Sequence, residues 1–367
     1  MDMTPYFRLM ADKEASDMFF CTGTEPHIKI QGVIRPVGKQ KLAPGDVREM
    51  AYSLMNKEQA EEFEKTLEMN FAVPLKGVGR FRVNIFRQRG EYSIVIRYIK
   101  TKIPRFQDIN LPTVLGDVVM EKRGLVLVVG ATGSGKSTTL ASMIGHRNRH
   151  SSSHILTIED PLEFVHSHDR SIVQQREVGI DTLSYENALK NALREAPDVI
   201  LIGEIRDMET MKHAINYAET GHLCLATLHA NNANQALDRI INFFPEALHR
   251  QLFMDMSLNL RAIISQRLLP TVDGSSRVPA VEIMLNTPYI SELINKGEVG
   301  SIKDAMKEST DPGMITFDKA LMKLYKDGLI TMEEALQNAD SRNDLNLAIR
   351  LGEGGVDNDT EDELILN

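Results

Sequence analysis

The chain has few of the features that mark secreted or membrane-spanning proteins. Only two of its 367 residues are cysteines, Cys21 and Cys224, about two hundred positions apart. Neither a disulfide scaffold nor a CxxC metal site is therefore expected. No uncharged apolar stretch reaches the roughly 18 residues that a membrane helix needs, and the first ten residues lack the apolar run of a signal peptide. We expect free thiols and a cytoplasmic location with no transmembrane segment.

Basic residues are also too few for a general nucleic-acid binder. The chain carries 42 Lys and Arg against 51 Asp and Glu, which gives a formal net charge of −9. We therefore expect no direct contact with nucleic acid beyond a local basic patch. Hydrophobic residues at 42% and charged residues at 25% are typical of a soluble globular protein. At roughly 100–200 residues per domain, the length indicates at least two domains.

Composition and periodicity divide the chain into four parts. Residues 1–100 indicate a small α+β domain, and residues 101–112, with two prolines, indicate a linker. Residues 113–350 indicate a larger α/β domain. Residues 351–367 indicate a disordered tail, because six acids and no base fall in the last fifteen positions. The predicted elements of the first domain are a strand at 28–37, a helical stretch at 46–67, and strands at 79–84 and 92–99.

The larger domain alternates short apolar runs with helical patterns. Such near-continuous apolar strands predict a parallel sheet that is buried on both faces. The predicted strands are residues 125–129, 155–158, 199–202 and 223–227, and the predicted helices are residues 136–146, 184–195 and 208–219.

A phosphate-binding loop follows the first of these strands. The sequence Gly130-Ala131-Thr132-Gly133-Ser134-Gly135-Lys136-Ser137 fits G-x-x-x-x-G-K-[ST], and a helical pattern follows it. The glycines let backbone N–H groups surround phosphates, and the helix N-terminus adds a positive dipole. Lys136 can reach the β- and γ-phosphates, while the Ser137 hydroxyl can bind Mg²⁺. We predict nucleotide binding by the seven residues Thr132, Gly133, Ser134, Gly135, Lys136, Ser137 and Thr138.

Carboxylates end two other predicted strands. Glu204 follows an apolar strand and is placed to act on Mg²⁺ and the attacking water. Residues 155–163 form a second such strand that ends in Glu159, Asp160 and Glu163, one of which can act as general base. A solvated strand end is the alternative for each acid taken alone. The phosphate loop favours the catalytic interpretation.

Two histidines and a group of arginines complete the candidates. His222 and His229 bracket the strand at 223–228, and His229 lies where a strand end would face phosphate. Five arginines fall within eighteen residues that contain one acid, Glu91. They are open to three interpretations: a solvated strand edge, a nucleic-acid surface, or arginines that act in trans on the phosphates of a neighbouring subunit. The five are Arg80, Arg82, Arg87, Arg89 and Arg97.

Four ordered motifs resemble those of the type IV pilus retraction ATPases, the PilT/PilU group of the secretion-ATPase superfamily. They are the phosphate loop, an acidic box at 157–164, a Walker B stretch at 200–204, and a histidine box at 218–229. The resemblance extends from about residue 15 to about residue 329. It implies a PAS-like N-terminal domain joined to a RecA-like ATPase domain, assembled as a hexameric ring. It also implies ATP and Mg²⁺ bound between the two domains, where N-terminal arginines complete the site.

The resemblance assigns roles residue by residue. It implies that Glu163 is the catalytic base, with Glu159 as the alternative, and that Glu204 is the Walker B acid. It implies that His222 and His229 sense or organise phosphate. Arg82 and Arg97 are our choices among the arginines, and Ser137 with Glu204 are the choices for the metal.

Two departures favour the accessory, PilU-type branch of this group. The extra N-terminal domain and four-cysteine zinc motif of assembly ATPases are absent. The segment Ala-Ile-Arg-Asn-Leu-Ile of PilT-type motors corresponds here to residues 289–294, where Ser291 and Glu292 replace its arginine and asparagine. The resemblance implies an ATP-driven motor for pilus retraction, and so for twitching motility and DNA uptake. Its implied partners are a PilT-type ATPase and an inner-membrane pilus platform protein, at which it would be peripheral. A scaffold subunit with little hydrolysis, an independent PilT-type motor and a nucleic-acid translocase remain alternatives.

Overall fold

The computed structural model describes residues 2–30 and 32–353, which form two compact units. The first unit comprises Met1–Ile103 and two later segments, Thr157–Asp169 and Val173–Asn191, and the rest of the chain forms the second unit. The first unit thus takes in two stretches that the predicted boundaries assign to the second domain. Each unit is described by itself.

The first unit has an α+β fold on a six-stranded antiparallel sheet. Up to the linker its elements are α1 (Thr4–Asp12), β1 (Asp17–Cys21), β2 (His27–Ile30), β3 (Val33–Pro36), α2 (Asp46–Leu54), α3 (Lys57–Thr66), β4 (Glu68–Leu75), β5 (Gly79–Gln88) and β6 (Glu91–Ile99). The strand order is β3-β2-β1-β6-β5-β4. Alternate residues of β5, namely Phe81, Val83 and Ile85, are buried in the core of this unit. The opposite face of β5 carries Arg80 and Arg82.

The predicted strands at 79–84 and 92–99 are confirmed, and they pair as the hairpin of β5 and β6. Two other predictions in this unit have the wrong boundaries. Arg89 and Gly90 form the turn with φ of 51° and 83°, a two-residue geometry that matches the twist of paired strands. The predicted strand at 28–37 is two strands, β2 and β3, paired as a hairpin. The predicted helix at 46–67 breaks before Asn56, because Asn56 and Gln59 form a capping box that starts a second helix.

From the linker onward, the described part of the chain forms fourteen further helices and strands before its last four helices. They are α4 (Val114–Met120), β7 (Gly124–Val129), α5 (Lys136–His150), β8 (His154–Glu159), β9 (Ile172–Glu177), α6 (Tyr185–Ala192), β10 (Val199–Ile202), α7 (Met208–Glu219), β11 (Leu223–Leu228), α8 (Ala233–Phe243), α9 (His249–Asn259), β12 (Leu260–Pro270), β13 (Arg277–Leu285) and α10 (Pro288–Lys296). The chain leaves the second unit within β8, after Leu156, and most of β9 and α6 belongs to the first unit.

The sheet of the second unit is mainly parallel. Its strands follow the order β13-β12-β7-β11-β10-β8, with β12, β7, β11 and β10 parallel to their neighbours and β13 antiparallel to β12. Every residue of β7, β10 and β11 is buried. The predicted parallel sheet buried on both faces is confirmed, while the antiparallel edge strand β13 was not predicted.

Helices close the chain against the antiparallel edge of this sheet. They are α11 (Ile302–Glu308), α12 (Phe317–Lys326), α13 (Met332–Gln337) and α14 (Arg342–Glu353). The last three share a core with Leu269 of β12 and Val278 of β13. Residues 351–353 of the predicted tail belong to α14, and residues 354–367 lie outside the described residues. None of the helices in the described ranges is long and apolar enough to cross a membrane.

Candidate functional site

The phosphate loop lies between the end of β7 and the start of α5. Lys136 is the first residue of α5, and its Nζ donates hydrogen bonds to the carbonyl oxygens of Gly130, at 2.8 Å, and Ala131, at 3.0 Å. The first N–H groups of a helix have no partner within it, so the start of α5 offers donors and a positive dipole to an anion. The Lys136 ammonium group therefore lies against the phosphate loop, beside the N–H donors at the start of α5.

Gln266 of β12 supports the loop from below. Its side chain is buried, donates to the carbonyl oxygen of Ser134 at 2.8 Å, and accepts from the Thr139 hydroxyl at 2.6 Å. A Cβ at Gly135, whose φ is 92°, would lie 2.6 Å from the Gln266 amide nitrogen. Only glycine fits there, because it tolerates this φ and leaves room for the amide.

The remaining residues of the loop and of the first turn of α5 differ in their exposure to solvent. Thr132 and Gly133 are exposed at the tip, while Ser137 and Thr138 are half-buried in the first turn of α5. Ser134 is buried, and its hydroxyl has no hydrogen-bond partner among the described residues. All seven residues predicted to bind nucleotide therefore lie in one continuous loop and helix turn.

Glu204 and His229 meet at the same edge of the sheet. Glu204 lies two residues beyond β10 and His229 directly after β11, and His229 Nε2 is 3.0 Å from Glu204 Oε1. Arg206 Nε is 2.7 Å from the other carboxylate oxygen. Because β7 and β11 are parallel with Val129 opposite Leu228, the phosphate loop starts at this edge too. The structure thus brings Glu204, His229 and the phosphate loop to one edge.

His222 lies at the other end of β11. The carbonyl oxygen of His222 accepts from the N–H of Gly124, which starts β7, whereas the phosphate loop follows the end of β7. Six strand residues separate His222 from His229, a span of about 20 Å at ~3.3 Å per residue. The His222 ring contacts Thr220 and Tyr217 instead. Within this unit, His222 therefore lies at the end of β11 away from the phosphate loop, and its role in sensing or organising phosphate stays a prediction from the resemblance.

Two of the three carboxylates in the acidic box of the first unit lie in different environments. Glu159 accepts from the Thr157 hydroxyl at 2.7 Å and from the Gln175 amide at 3.4 Å. Burial raises its pKa to about 7, although these hydrogen bonds oppose the shift. Glu163 is exposed. At neutral pH Glu159 is therefore partly protonated, while Glu163 is open to solvent.

The two chosen arginines are both paired with buried acids of the first unit. Arg82 Nε is 3.6 Å from an oxygen of Glu177, whose side chain is 1% exposed, and Arg97 Nε is 2.8 Å from Asp17. The pKa of Glu177 is raised by burial, against the lowering effect of Arg82 and Arg80. A nearby pair, Arg80 with Asp181, spans 3.8 Å. The arginine cluster is thus partly neutralised by acids that lie far away in the sequence.

Sequence reasoning missed Gln266 and Glu177. Gln266 lies between Ser265 and Arg267 in β12, and Glu177 follows two glutamines and Arg176 in β9, so their sequence neighbours do not mark either residue as buried. Only the fold places Gln266 beside Ser134 and Glu177 beside Arg82.

Comparisons with known proteins agree with this arrangement. The family described as "Type II/IV secretion system protein" matches residues 4–325. Type IV pilus ATPase PilU of Pseudomonas aeruginosa is 54% identical over 352 residues, covering 96% of this chain and 92% of that protein. The retraction ATPase PilT of the same organism is 41% identical over 339 residues, covering 92% of this chain and 98% of that protein.

Solved structures are similar over the same length. The crystal structure of the pilus retraction motor PilT with bound ADP has a TM-score of 0.87 and 40% identity, covering 95% of this chain and 99% of that one. The ATPase DotB of Legionella pneumophila has a TM-score of 0.75 and 26% identity, with 91% and 94% covered. These likenesses identify the first unit with a PAS-like N-terminal domain and the second with a RecA-like domain. The chain therefore belongs to the type II/IV secretion system protein family, within its PilT/PilU group of type IV pilus ATPases, and it is an ATPase.

Proposed function

We propose that this protein is a Mg²⁺-dependent ATP hydrolase that drives type IV pilus retraction as an accessory, PilU-type motor. The observation that carries the proposal is the 54% identity with PilU over 96% of the chain, together with the meeting of Glu204, His229 and the phosphate loop at one edge. The protein would act at the cytoplasmic side of the inner membrane, on the pilus platform protein. Retraction would serve twitching motility and DNA uptake.

Hydrolysis is an in-line attack of water on the γ-phosphate, so positioning and charge neutralisation carry most of the catalysis. Lys136 exchanges its two carbonyl partners for phosphate oxygens. Glu204 orients water or metal at the strand end while His229, 3.0 Å away, holds the carboxylate in place. Glu163 accepts the proton of the attacking water, for which an exposed carboxylate is accessible.

The donor set beside the phosphate loop fits Mg²⁺. This ion binds through one or two protein oxygens together with substrate phosphates and water, rather than in an all-protein cage. Ser137 and Glu204 are the residues that would hold Mg²⁺, which would neutralise phosphate charge there.

We further propose a homo-hexameric ring in which first-unit arginines act on phosphates. Arg82 and Arg97 are paired with Glu177 and Asp17, and the negative charge of these acids would offset part of the attraction of the arginines for phosphate. Exchange of an acid for a phosphate is favourable only when nucleotide is present. Ring assembly and nucleotide binding would thereby be coupled.

The accessory role rests on residues 289–294, all of which lie in α10. Ser291 donates to the Ser257 carbonyl oxygen at 2.8 Å, and exposed Glu292 pairs with Lys296 at 2.6 Å. The segment therefore presents a neutral hydroxyl and a locally balanced ion pair where PilT-type motors present a cation. This difference alters electrostatic matching to a common partner. The motor would hydrolyse ATP yet retract pili only together with a PilT-type ring.

The decisive experiment is genetic. The PilT-type gene is deleted, the gene for this protein is retained, and labelled pili are followed by microscopy. We expect retraction to be lost and then restored by a PilT-type copy, while the purified protein still releases phosphate from ATP. Retraction at full frequency without the PilT-type gene would instead establish an independent motor.

A further inference from the structure

A buried carboxylate of the second unit lies outside the candidate site and has no part in the reaction described above. Glu282 of β13 is 4% exposed. Its Oε1 accepts hydrogen bonds from the backbone N–H of Ala233, at 2.8 Å, and from the Ser265 hydroxyl, at 2.9 Å. A buried carboxylate is costly unless such partners compensate it, so its position is specific.

The two partners connect Glu282 to the loop that carries His229. Ala233 is the first residue of α8, and three residues separate it from His229. Its N–H has no partner within the helix. Asn232 caps the N–H of Gln235, and Glu282 accepts from Ala233, so both ends of the first turn are fixed. The His229 loop is thereby fastened where it enters α8.

The same strand pair also holds the phosphate loop. Ser265 lies directly opposite Glu282 in the register of β12 and β13. The next residue, Gln266, donates to the Ser134 carbonyl oxygen. Neighbouring residues of β12 therefore reach the phosphate loop directly and the His229 loop through Glu282.

We infer that Glu282 is a positioning residue for ATP hydrolysis, which acts by fixing the His229 loop relative to the phosphate loop. The inference rests on the proposed role of His229 at Glu204. Without Glu282, the start of α8 is free to shift and His229 loses its alignment with Glu204. Small displacements of this kind lower turnover more than substrate binding, because Lys136 and the loop N–H groups still hold the phosphates.

Burial, hydrogen bonds and nearby charges all act on the pKa of Glu282. Burial raises the pKa of Glu282 to about 7, while its hydrogen bonds with Ala233 and Ser265 act in the opposite direction. Arg267 lowers the pKa and Asp340 raises it. The geometry of the two hydrogen bonds remains the basis of the inference.

The test is a double-mutant cycle between Glu282 and His229, read by steady-state kcat and KM for ATP on the full-length protein. Glu282→Gln keeps size and an acceptor oxygen but removes the charge, and Glu282→Ala removes both. We expect kcat to fall about tenfold in Glu282→Ala and less in Glu282→Gln, with KM changed by less than about twofold. In a His229→Ala background, the further loss should shrink to less than about twofold, because both residues act through one loop.

Asp311→Asn is the matched control. Asp311 Oδ1 accepts from the Gly313 N–H at 2.8 Å, so the exchange also removes a carboxylate that binds backbone, but in a loop before α12. Its kcat should equal that of the unaltered protein. If Glu282→Ala does not fold, the same comparison is made with Glu282→Gln, which keeps the size of the side chain and an acceptor oxygen. Equal fold-losses with and without His229, a change confined to KM, or unchanged kcat would each overturn the inference. Pilus retraction in cells tests the proposed function separately.

Discussion

The two units hold their functional candidates in different ways. In the second unit, Lys136, Glu204 and His229 follow the ends of parallel strands; Lys136 donates to loop carbonyl oxygens, and Glu204 contacts both His229 and Arg206. In the first unit, Arg82 and Arg97 lie within an antiparallel sheet, and each is paired with a buried acid. The second unit thus gathers its candidate side chains beside the phosphate loop, whereas the arginines of the first unit are already partly neutralised by acids.

Lys136→Ala should have the largest effect. It removes the ammonium group that bridges the loop and the β- and γ-phosphates, so we expect phosphate release to fall at least about a hundredfold, to background. The melting temperature should change little, because Lys136 is only partly buried. Lys122→Ala, an exposed lysine of the same unit, serves as the control. Substantial phosphate release by Lys136→Ala would refute the phosphate-loop assignment.

Exchanging Glu163 and Glu159 of the acidic box for glutamine, one at a time, tests which of them is the general base. Glu163→Gln should lower kcat about a hundredfold while binding of a fluorescent ATP analogue is retained, since the amide cannot accept the proton. Glu159→Gln should have a smaller effect, because Glu159 is hydrogen-bonded to Thr157 and Gln175. The reverse order of effects would identify Glu159 as the base.

Arg82→Ala should reduce kcat about ten- to a hundredfold through the loss of a charged contact to phosphate. Mixing Arg82→Ala subunits with Lys136→Ala subunits tests whether the two residues meet across subunits. If they do, some interfaces in a mixed ring carry both intact halves, and activity returns in part. Mixed rings, verified by mass spectrometry, that show no recovery would exclude a site shared between subunits.

The smallest expected effect is on stability as a function of pH. The folded-state pKa of Glu159 is raised to about 7 from 4.5, so the folded chain binds more protons than the unfolded chain between these values. Its contribution to the free energy of unfolding therefore decreases as the pH rises from 4.5 to 7. Glu159→Gln lacks this loss, so its melting temperature relative to the unaltered protein should increase from pH 5 to pH 8. A difference independent of pH would show that Glu159 titrates normally.

Sequence reasoning succeeded where local pattern and fold coincide. The strands β7, β10 and β11 are uniformly apolar because both faces are covered, and a glycine-rich loop after such a strand has few other interpretations. It did not identify β4 and α1, whose sequences mix polar and apolar residues. The direction of β11 was read correctly, because His229 lies at the end of this strand that is beside the start of the phosphate loop.

Long-range partners could not be predicted. Arg82 and Glu177 are separated by 95 positions, and no local pattern links them. Gln266 is flanked by Ser265 and Arg267, and its contact with Ser134 depends on the neighbouring position of β12 and β7. Charge pairing and loop support are properties of the assembled sheets, and they follow from topology rather than from spacing.

The discontinuity of the first unit has a consequence for synthesis. Its residues come from before and after the phosphate loop, because the segments Thr157–Asp169 and Val173–Asn191 belong to it. A ribosome must therefore release the strand β7 and the helix α5 before it delivers Glu177 and Asp181. Until then, the nascent sheet presents Arg80 and Arg82 without their acids. A fragment that stops at the linker would therefore carry Arg80 and Arg82 without Asp181 and Glu177.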